Sequence, residues 1–88
     1  MTKFFSSESL GNGEYQGMDE VTPADGTDLA FTARLLYIGT SGDGTLRVHD
    51  NRGNVVNFAG VPDGKLIPGY FRRVLSTGTG VSDIVAFY

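Results

Sequence analysis

Apolar and polar residues alternate in short runs over the last two thirds of the chain, and glycine-containing turns separate the runs. The runs are FTARLLYIG (31–39), TLRVHD (45–50), VVNFAG (55–60), YFRRVLST (70–77) and SDIVAFY (82–88), with a short KLIP segment (65–68) before the fourth. A period of two and many β-branched and aromatic residues favour strands over helices. The pattern therefore predicts an all-β fold, a small antiparallel β-sandwich or jelly-roll-like barrel of five to seven short strands.

The alternation also assigns faces to the predicted strands. In the run 31–39 it places Phe31, Ala33, Leu35 and Tyr37 together on one face. In the run 45–50 it separates Leu46 and Val48 from Arg47 and His49, as in a half-exposed sheet. In the run 82–88 the residues from Ile84 onward are apolar on both faces. We therefore expect Ile84 to Tyr88 to form a strand that is buried on both faces and paired along its length.

The composition of the chain changes near Thr27, and the predicted boundary between an arm and a domain lies after residue 20. Residues 1–20 are rich in polar residues and glycine, with only scattered large apolar side chains. Such a segment cannot build a core, so it is predicted to be a flexible, extended N-terminal arm that a neighbouring molecule orders. Residues 21–88 are predicted to form a single β-sandwich domain.

Composition and charge also exclude several classes of protein. The chain has no cysteine, so it has neither a disulfide framework nor a thiolate zinc site. Seven basic against ten acidic residues argue against nucleic acid as the main partner. Arg72 and Arg73 form the only basic cluster, and neighbours on a strand are expected to point to opposite faces. No apolar stretch approaches a membrane span of roughly 18 residues or a signal peptide, so we expect a protein made in a reducing cytosol.

The residues that could carry chemistry have simpler structural explanations. His49 is the only histidine and lies on the polar face of a predicted strand. Asp43, Asp50 and Asp63 lie in glycine-containing turns, where aspartate typically caps backbone amides. The glycine-rich segments lack the lysine of a phosphate-binding loop. We therefore predict no catalytic, cofactor-binding or metal site, and expect that the protein is not an enzyme.

From about residue 21 to residue 88 the chain resembles a family of short virion structural proteins of tailed phages and gene transfer agents, which includes head spike base proteins. The resemblance rests on VTPADGTDLAF (21–31), LLYIGTSGDGTLRVHDNRGNVVNFAGVPDGKLIP (35–68) and RRVLSTGTGVSDIVAFY (72–88). It implies a β-rich capsid accessory protein, either a head spike base or a cement (decoration) protein, on the capsid surface of the virion. It also implies a homo-oligomer (trimer or pentamer), the major capsid protein and a possible head fibre protein as partners, and assembly in the host cytoplasm.

The residues independently favour self-association. A core of about sixty residues buries only about 60% of its unfolded surface and is marginal alone. The second half of the chain also holds more aromatic side chains than one thin sandwich can cover. The predicted interface residues are Phe4, Phe5, Tyr15, Met18, Tyr70, Phe71, Phe87 and Tyr88. Two alternatives stay open, namely a non-catalytic carbohydrate-binding or adhesion module and a small enzyme or regulator of unknown type.

Overall fold

The computed structural model describes residues 15–88, which form six β-strands. They are β1 (Met18–Val21), β2 (Ala33–Thr40), β3 (Leu46–Asp50), β4 (Val55–Phe58), β5 (Lys65–Val74) and β6 (Ser82–Phe87). All pairings are antiparallel, and the strand order is β1-β6-β2-β5-β3-β4. This confirms the predicted small antiparallel all-β fold. Nothing in the described range forms a helix that could cross a membrane.

The six strands belong to one sheet, which curls back on itself at one end. The carbonyl oxygen of Thr45, just before β3, accepts hydrogen bonds from the amides of Gly80 (2.9 Å) and Val81 (3.1 Å), just before β6. In the sheet order β2 and β5 lie between β6 and β3. The direct bonds across them show that the sheet closes at this end in a barrel-like manner.

The curl gives the sheet an inner face that encloses the core. Leu36, Ile38, Leu46, Val48, Val74 and Ile84 are its largest fully buried side chains. Each such side chain contributes about 1.5–3 kcal/mol by its burial. The predicted separation of Leu46 and Val48 from Arg47 and His49 is confirmed, since only the first pair is buried.

A register shift between β2 and β5 accompanies a change in which residues of β2 face the core. The pairing with β5 shifts register between Ala33 and Leu35. Ala33, Leu36 and Ile38 therefore point into the core, whereas Tyr37 is on the other face and Phe31 is 57% exposed. The prediction that Phe31, Ala33, Leu35 and Tyr37 share one face is wrong, because the alternation of β2 is interrupted where the register shifts, so that Ala33 and Leu36 both face the core.

The predicted KLIP segment and the following run form one ten-residue strand, β5. Its first half pairs with β2, and β3 joins only its second half, from Phe71 onward. Gly69 separates the halves with φ of 152°, and a Cβ there would lie 2.8 Å from Cζ of Phe71. Glycine therefore lets the strand bend while the Phe71 ring packs close to the backbone.

The pairing of β1 with β6 lies across the predicted boundary between arm and domain. Met18 pairs with Phe87, and Val21 pairs with Ile84, so residue 20 is inside a strand. The Tyr88 amide also donates to the Gly17 carbonyl at 3.0 Å. The rest of the predicted arm, residues 1–14, lies outside the described residues. The predicted strand near Tyr88 is confirmed as β6, but the prediction that both of its faces are buried is wrong, since Ile84 and Ala86 are buried whereas Val85 and Phe87 are partly exposed.

The turn aspartates cap backbone amides, as predicted. Asp43 accepts from the amide of Thr45 at 3.2 Å, and Asp50 accepts from the amide of Arg52 at 2.8 Å. Asp63 instead accepts from the amide of Ser41 at 2.7 Å, which ties two separate turns together. Hydrogen bonds to the ionised form lower the pKa of all three carboxyl groups.

Arg72 and Arg73 converge on one carboxylate rather than pointing apart. Their Nε atoms lie 3.9 Å and 2.7 Å from Oδ1 of Asp28. Arg73 also donates to the carbonyl oxygen of Asp25 at 2.8 Å. The expectation that the two arginines stay separate is therefore wrong, because the register shift between β3 and β5 leaves Arg72 as an extra residue, which interrupts the alternation between Phe71 and Val74. Their role is structural, since they hold residues 25–28 against β5.

Candidate interaction surface

The outer face of the sheet carries two rows of apolar side chains across β1, β6, β2 and β5. The strand registers place Met18, Phe87, Leu35 and Pro68 in one row. They place Glu20, Val85, Tyr37 and Leu66 in the next row. We call these eight residues the outer apolar face.

This face differs from an ordinary solvated sheet surface. An antiparallel sheet with one face toward water usually alternates apolar inward and polar outward residues. Here Glu20 is the only charged residue among the eight. The outer positions of β3, by contrast, hold Arg47 and His49. The apolar character is therefore confined to one half of the sheet.

Part of the outer apolar face is covered within the chain, and part is open. Leu35 at its centre is only 3% exposed. Tyr15 packs edge-on against Phe87 with ring centroids 5.5 Å apart, and the Arg34 guanidinium lies 4.9 Å from the Tyr15 ring centroid. Met18 is 60% exposed and Tyr37 is 37% exposed. The open part is thus available for contact with another molecule.

The outer apolar face continues into a groove beside the first half of β5. Because β3 joins β5 only from Phe71 onward, the loop between β4 and β5 borders this half of the strand. The groove has a volume of about 300 Å³. Its lining residues are mostly apolar: Phe58, Ala59, Gly60, Val61, Pro62, Lys65, Leu66, Ile67 and Pro68. The groove therefore extends the apolar surface toward β4.

A second aromatic cluster lies at the β1–β6 end of the sheet. Phe31 stacks on Tyr88 with ring centroids 4.5 Å apart. Burial raises the pKa of the Tyr88 hydroxyl, and the nearby Asp19 carboxylate raises it further through its charge and a hydrogen bond. This cluster fixes the position of β1 at the edge of the sheet.

The predicted interface residues fall into separate places. Met18 and Phe87 belong to the outer apolar face, Tyr15 covers its edge, and Tyr88 lies in the neighbouring cluster. Tyr70 is 62% exposed but lies beside the turn between β3 and β4. Phe71 is 5% exposed and packs in the core of this chain, so it is not on the surface. Phe4 and Phe5 lie outside the described residues. The interface role of the set stays a prediction.

Besides Glu20, sequence reasoning missed the five apolar residues of the outer apolar face that follow. They are Leu35, Tyr37, Leu66, Pro68 and Val85. One signal was present, because residues 35–38 form an unbroken apolar run. A strand without a polar face is typically covered on both sides.

Residues 15–88 show no metal-binding group, and their one histidine does not contact a hydrogen-bond partner through Nδ1. Residues 15–88 bring no three His, Asp or Glu side chains together in a group that could hold a metal ion. His49 lies on β3 with Nδ1 buried and without a hydrogen-bond partner. The surface features that stand out are apolar and suited to contact with a protein.

Comparison with known proteins gives one structural match. No family model and no curated protein matches the chain. A chain in a solved structure described as the "Capsid of native GTA particle computed with C5 symmetry" superposes with a TM-score of 0.75 and is 35% identical in sequence. The match covers 90% of this chain and 88% of that chain. The two chains therefore share one fold over nearly their whole length and are identical at about a third of the aligned positions.

Proposed function

This chain belongs to the same family as a protein chain of the capsid of a gene transfer agent (GTA), and on that premise we propose that it is a non-enzymatic structural protein of a virion. We infer a capsid accessory role, as a head spike base or a cement protein. The protein is a homo-oligomer on the capsid surface and is assembled in the host cytoplasm. Its partners are the major capsid protein and, for a spike base, a head fibre protein.

The observation that carries this proposal is the outer apolar face. Association costs about 4–15 kcal/mol in lost translational and rotational freedom, so one exposed side chain cannot hold two proteins together. A patch that combines Met18, Tyr37, Leu66 and Val85 can bury several apolar side chains in one contact. A contiguous apolar patch on a protein surface is typical of a docking surface. We propose that it lies against the major capsid protein.

Binding to capsids that lack this protein tests the proposal. Tyr37 is partly exposed at the centre of the outer apolar face, so Tyr37→Lys places a charge in the contact while the core is left intact. We expect this variant to retain the β-type circular dichroism of the wild type and to lose at least about tenfold in cosedimentation with capsids, since a buried unpaired charge is costly.

Thr32→Lys is the matched control, because Thr32 is exposed and precedes β2 outside the outer apolar face. It adds the same charge and is expected to bind like the wild type. If folded Tyr37→Lys also bound like the wild type, the outer apolar face would not be the capsid-docking surface.

One observation favours a second candidate, a carbohydrate-binding module. The exposed ring of Tyr70 lies beside Asp50, Asn51 and Arg52 in a shallow recess of about 240 Å³. Aromatic rings next to polar side chains suit sugars, but Asp50 already accepts hydrogen bonds from Arg52 and Asn54. Titration with a panel of oligosaccharides, monitored by NMR, would support this candidate if Tyr70 shifted and Tyr70→Ala abolished the response.

A further inference from the structure

The sheet has two edge strands of equal length, β1 and β4. Each has four residues and, among residues 15–88, pairs with a strand on one side only. An edge strand presents unpaired amide and carbonyl groups that another strand can bind. Met18 on β1 and Val55 on β4 are 60% and 44% exposed, so neither edge strand is buried within the subunit.

The two edges differ in charge. β1 carries Asp19 and Glu20. β4 reads Val-Val-Asn-Phe and carries no charge, but it lies beside Arg47 and His49 of β3. Nε of Arg47 and Nδ1 of His49 are buried and have no hydrogen-bond partner. An acidic edge and an uncharged edge with basic neighbours are complementary to each other rather than to themselves.

The topology makes the two edges compatible in direction. All five strand pairings are antiparallel, so direction alternates along the order β1-β6-β2-β5-β3-β4. The first and the last strand consequently run in opposite directions. Two copies placed side by side with the same end up and the same face outward would thus bring β4 of one copy antiparallel to β1 of the next.

The pleat limits the possible registers. Glu20 is on the outer face because it pairs with Val85, and Val55 and Asn57 are on the outer face because they pair with His49 and Arg47. Outer residues must lie opposite outer residues in a continuous sheet. Glu20 therefore lies opposite either Asn57 or Val55. Both registers place the Glu20 carboxylate in a row with a basic residue of β3.

We propose that β1 of one copy pairs with β4 of a second copy, so that the sheet continues from subunit to subunit. Such a head-to-tail contact is heterologous and continues into a ring or a chain of copies. The inference deepens the self-association proposed above by naming the strands that form it. Docking of the outer apolar face on a capsid does not depend on it, so the two proposals fail separately.

Charge variants on the two edges test the contact in the full-length protein. Sedimentation velocity over a concentration series measures self-association. Glu20→Lys brings a cation toward Arg47 and His49, and Val55→Glu brings an acid toward Glu20. We expect each variant alone to weaken self-association by about tenfold or more, because like charges in a contact repel. We expect the double variant, and an equimolar mixture of the two single variants, to recover most of it.

The controls separate this contact from general effects of charge. Thr32→Lys and Thr32→Glu change charge at an exposed site that belongs to neither edge strand and are expected to associate like the wild type. If Val55→Glu failed to fold, Asn57→Glu at an exposed outer position of β4 would replace it. Circular dichroism verifies folding in each case.

Three outcomes would overturn the proposal. The first is a wild-type protein that stays monomeric at every concentration, and the second is association that neither edge variant weakens. The third is loss of association on deletion of residues 1–14 when both edge variants associate normally, since a segment outside β1 would then form the contact.

Discussion

The rings of Phe31 and Tyr88 stack at 4.5 Å with an interplanar angle of 21°. This contact joins the segment before β2 to the end of the β1–β6 pair. Tyr88 also lies over Gly17, where a Cβ would be 2.8 Å from Oη and 2.9 Å from Cζ of the tyrosine. The aromatic pair and the glycine together hold β1 at the sheet edge.

Gly17→Ala is therefore expected to destabilise the fold by about 1–3 kcal/mol, the usual cost of forcing an extra methyl group into a packed site. Urea unfolding followed by circular dichroism measures the change. Gly26→Ala is the matched control, because a Cβ at Gly26 meets nothing within 4 Å. Equal stability of the two variants would show that Tyr88 moves aside without cost.

Stability is expected to fall in alkaline solution. Burial first, and then the charge of Asp19, raises the pKa of Tyr88 in the folded chain above its ordinary value of 10.0. The unfolded chain then loses this proton first as the pH rises, so stability present below pH 10 is lost above it. In the Tyr88→Phe variant, the urea midpoint of unfolding should fall less steeply with rising pH than in the wild type. If the urea midpoints of the variant and the wild type fell equally, groups other than Tyr88 would cause the alkaline loss of stability.

Stability is also expected to fall in acid. Hydrogen bonds from Asn54, together with the hydrogen bond and charge of Arg52, lower the pKa of Asp50 below its ordinary value of 3.8, although burial opposes them. Stability from this turn is present above pH 3.8 and is lost as the pH falls through the lower folded value. Asp50→Asn should reduce the steepness of the loss in thermal melts, whereas Asn51→Ala should not. If the melting temperatures of Asp50→Asn and the wild type fell in parallel as the pH was lowered, Asp50 would not be the source of the acid-dependent stability.

The strands were predictable from the sequence because alternation, β-branched residues and glycine turns agree with one another. The register shift between Ala33 and Leu35 was not predictable, since it is a property of the pairing between β2 and β5 rather than of either segment. Tyr37 therefore lies on the outer face, and most residues of the outer apolar face could not be identified from the sequence. β1 was missed for a similar reason, because Met18–Val21 has a weak local pattern and pairs with a strand far along the chain.

The turns show how far local chemistry extends. Asp43 and Asp50 cap amides within their own turns, as the neighbouring glycines indicated. Asp63 caps an amide 22 residues away, and no local pattern specifies that partner. The two arginines of β5 likewise meet Asp28 through the path of residues 24–29, which strand alternation does not describe.

Asp83 should be more tolerant of glycine than of alanine. Its φ of 56° is in the left-handed region, and its carboxylate accepts from the Thr40 hydroxyl at 2.6 Å. Both substitutions remove this hydrogen bond, but only alanine has a Cβ that strains the backbone. We expect Asp83→Gly to be about 1 kcal/mol more stable than Asp83→Ala in urea unfolding. The reverse order would mean that the backbone relaxes out of this region.

The order of the strands in the sheet has a consequence for how the chain folds. Of the pairings among residues 15–88, only β3 with β4 joins strands that are consecutive in the chain. Every other pairing must first close a long loop, and topologies with such high contact order fold in milliseconds to seconds. We expect the hairpin of β3 and β4 to form early and β1 to dock late. A partly folded subunit would then present the β4 edge but not the β1 edge. Since the proposed contact between copies needs both edges, assembly would follow the completion of folding.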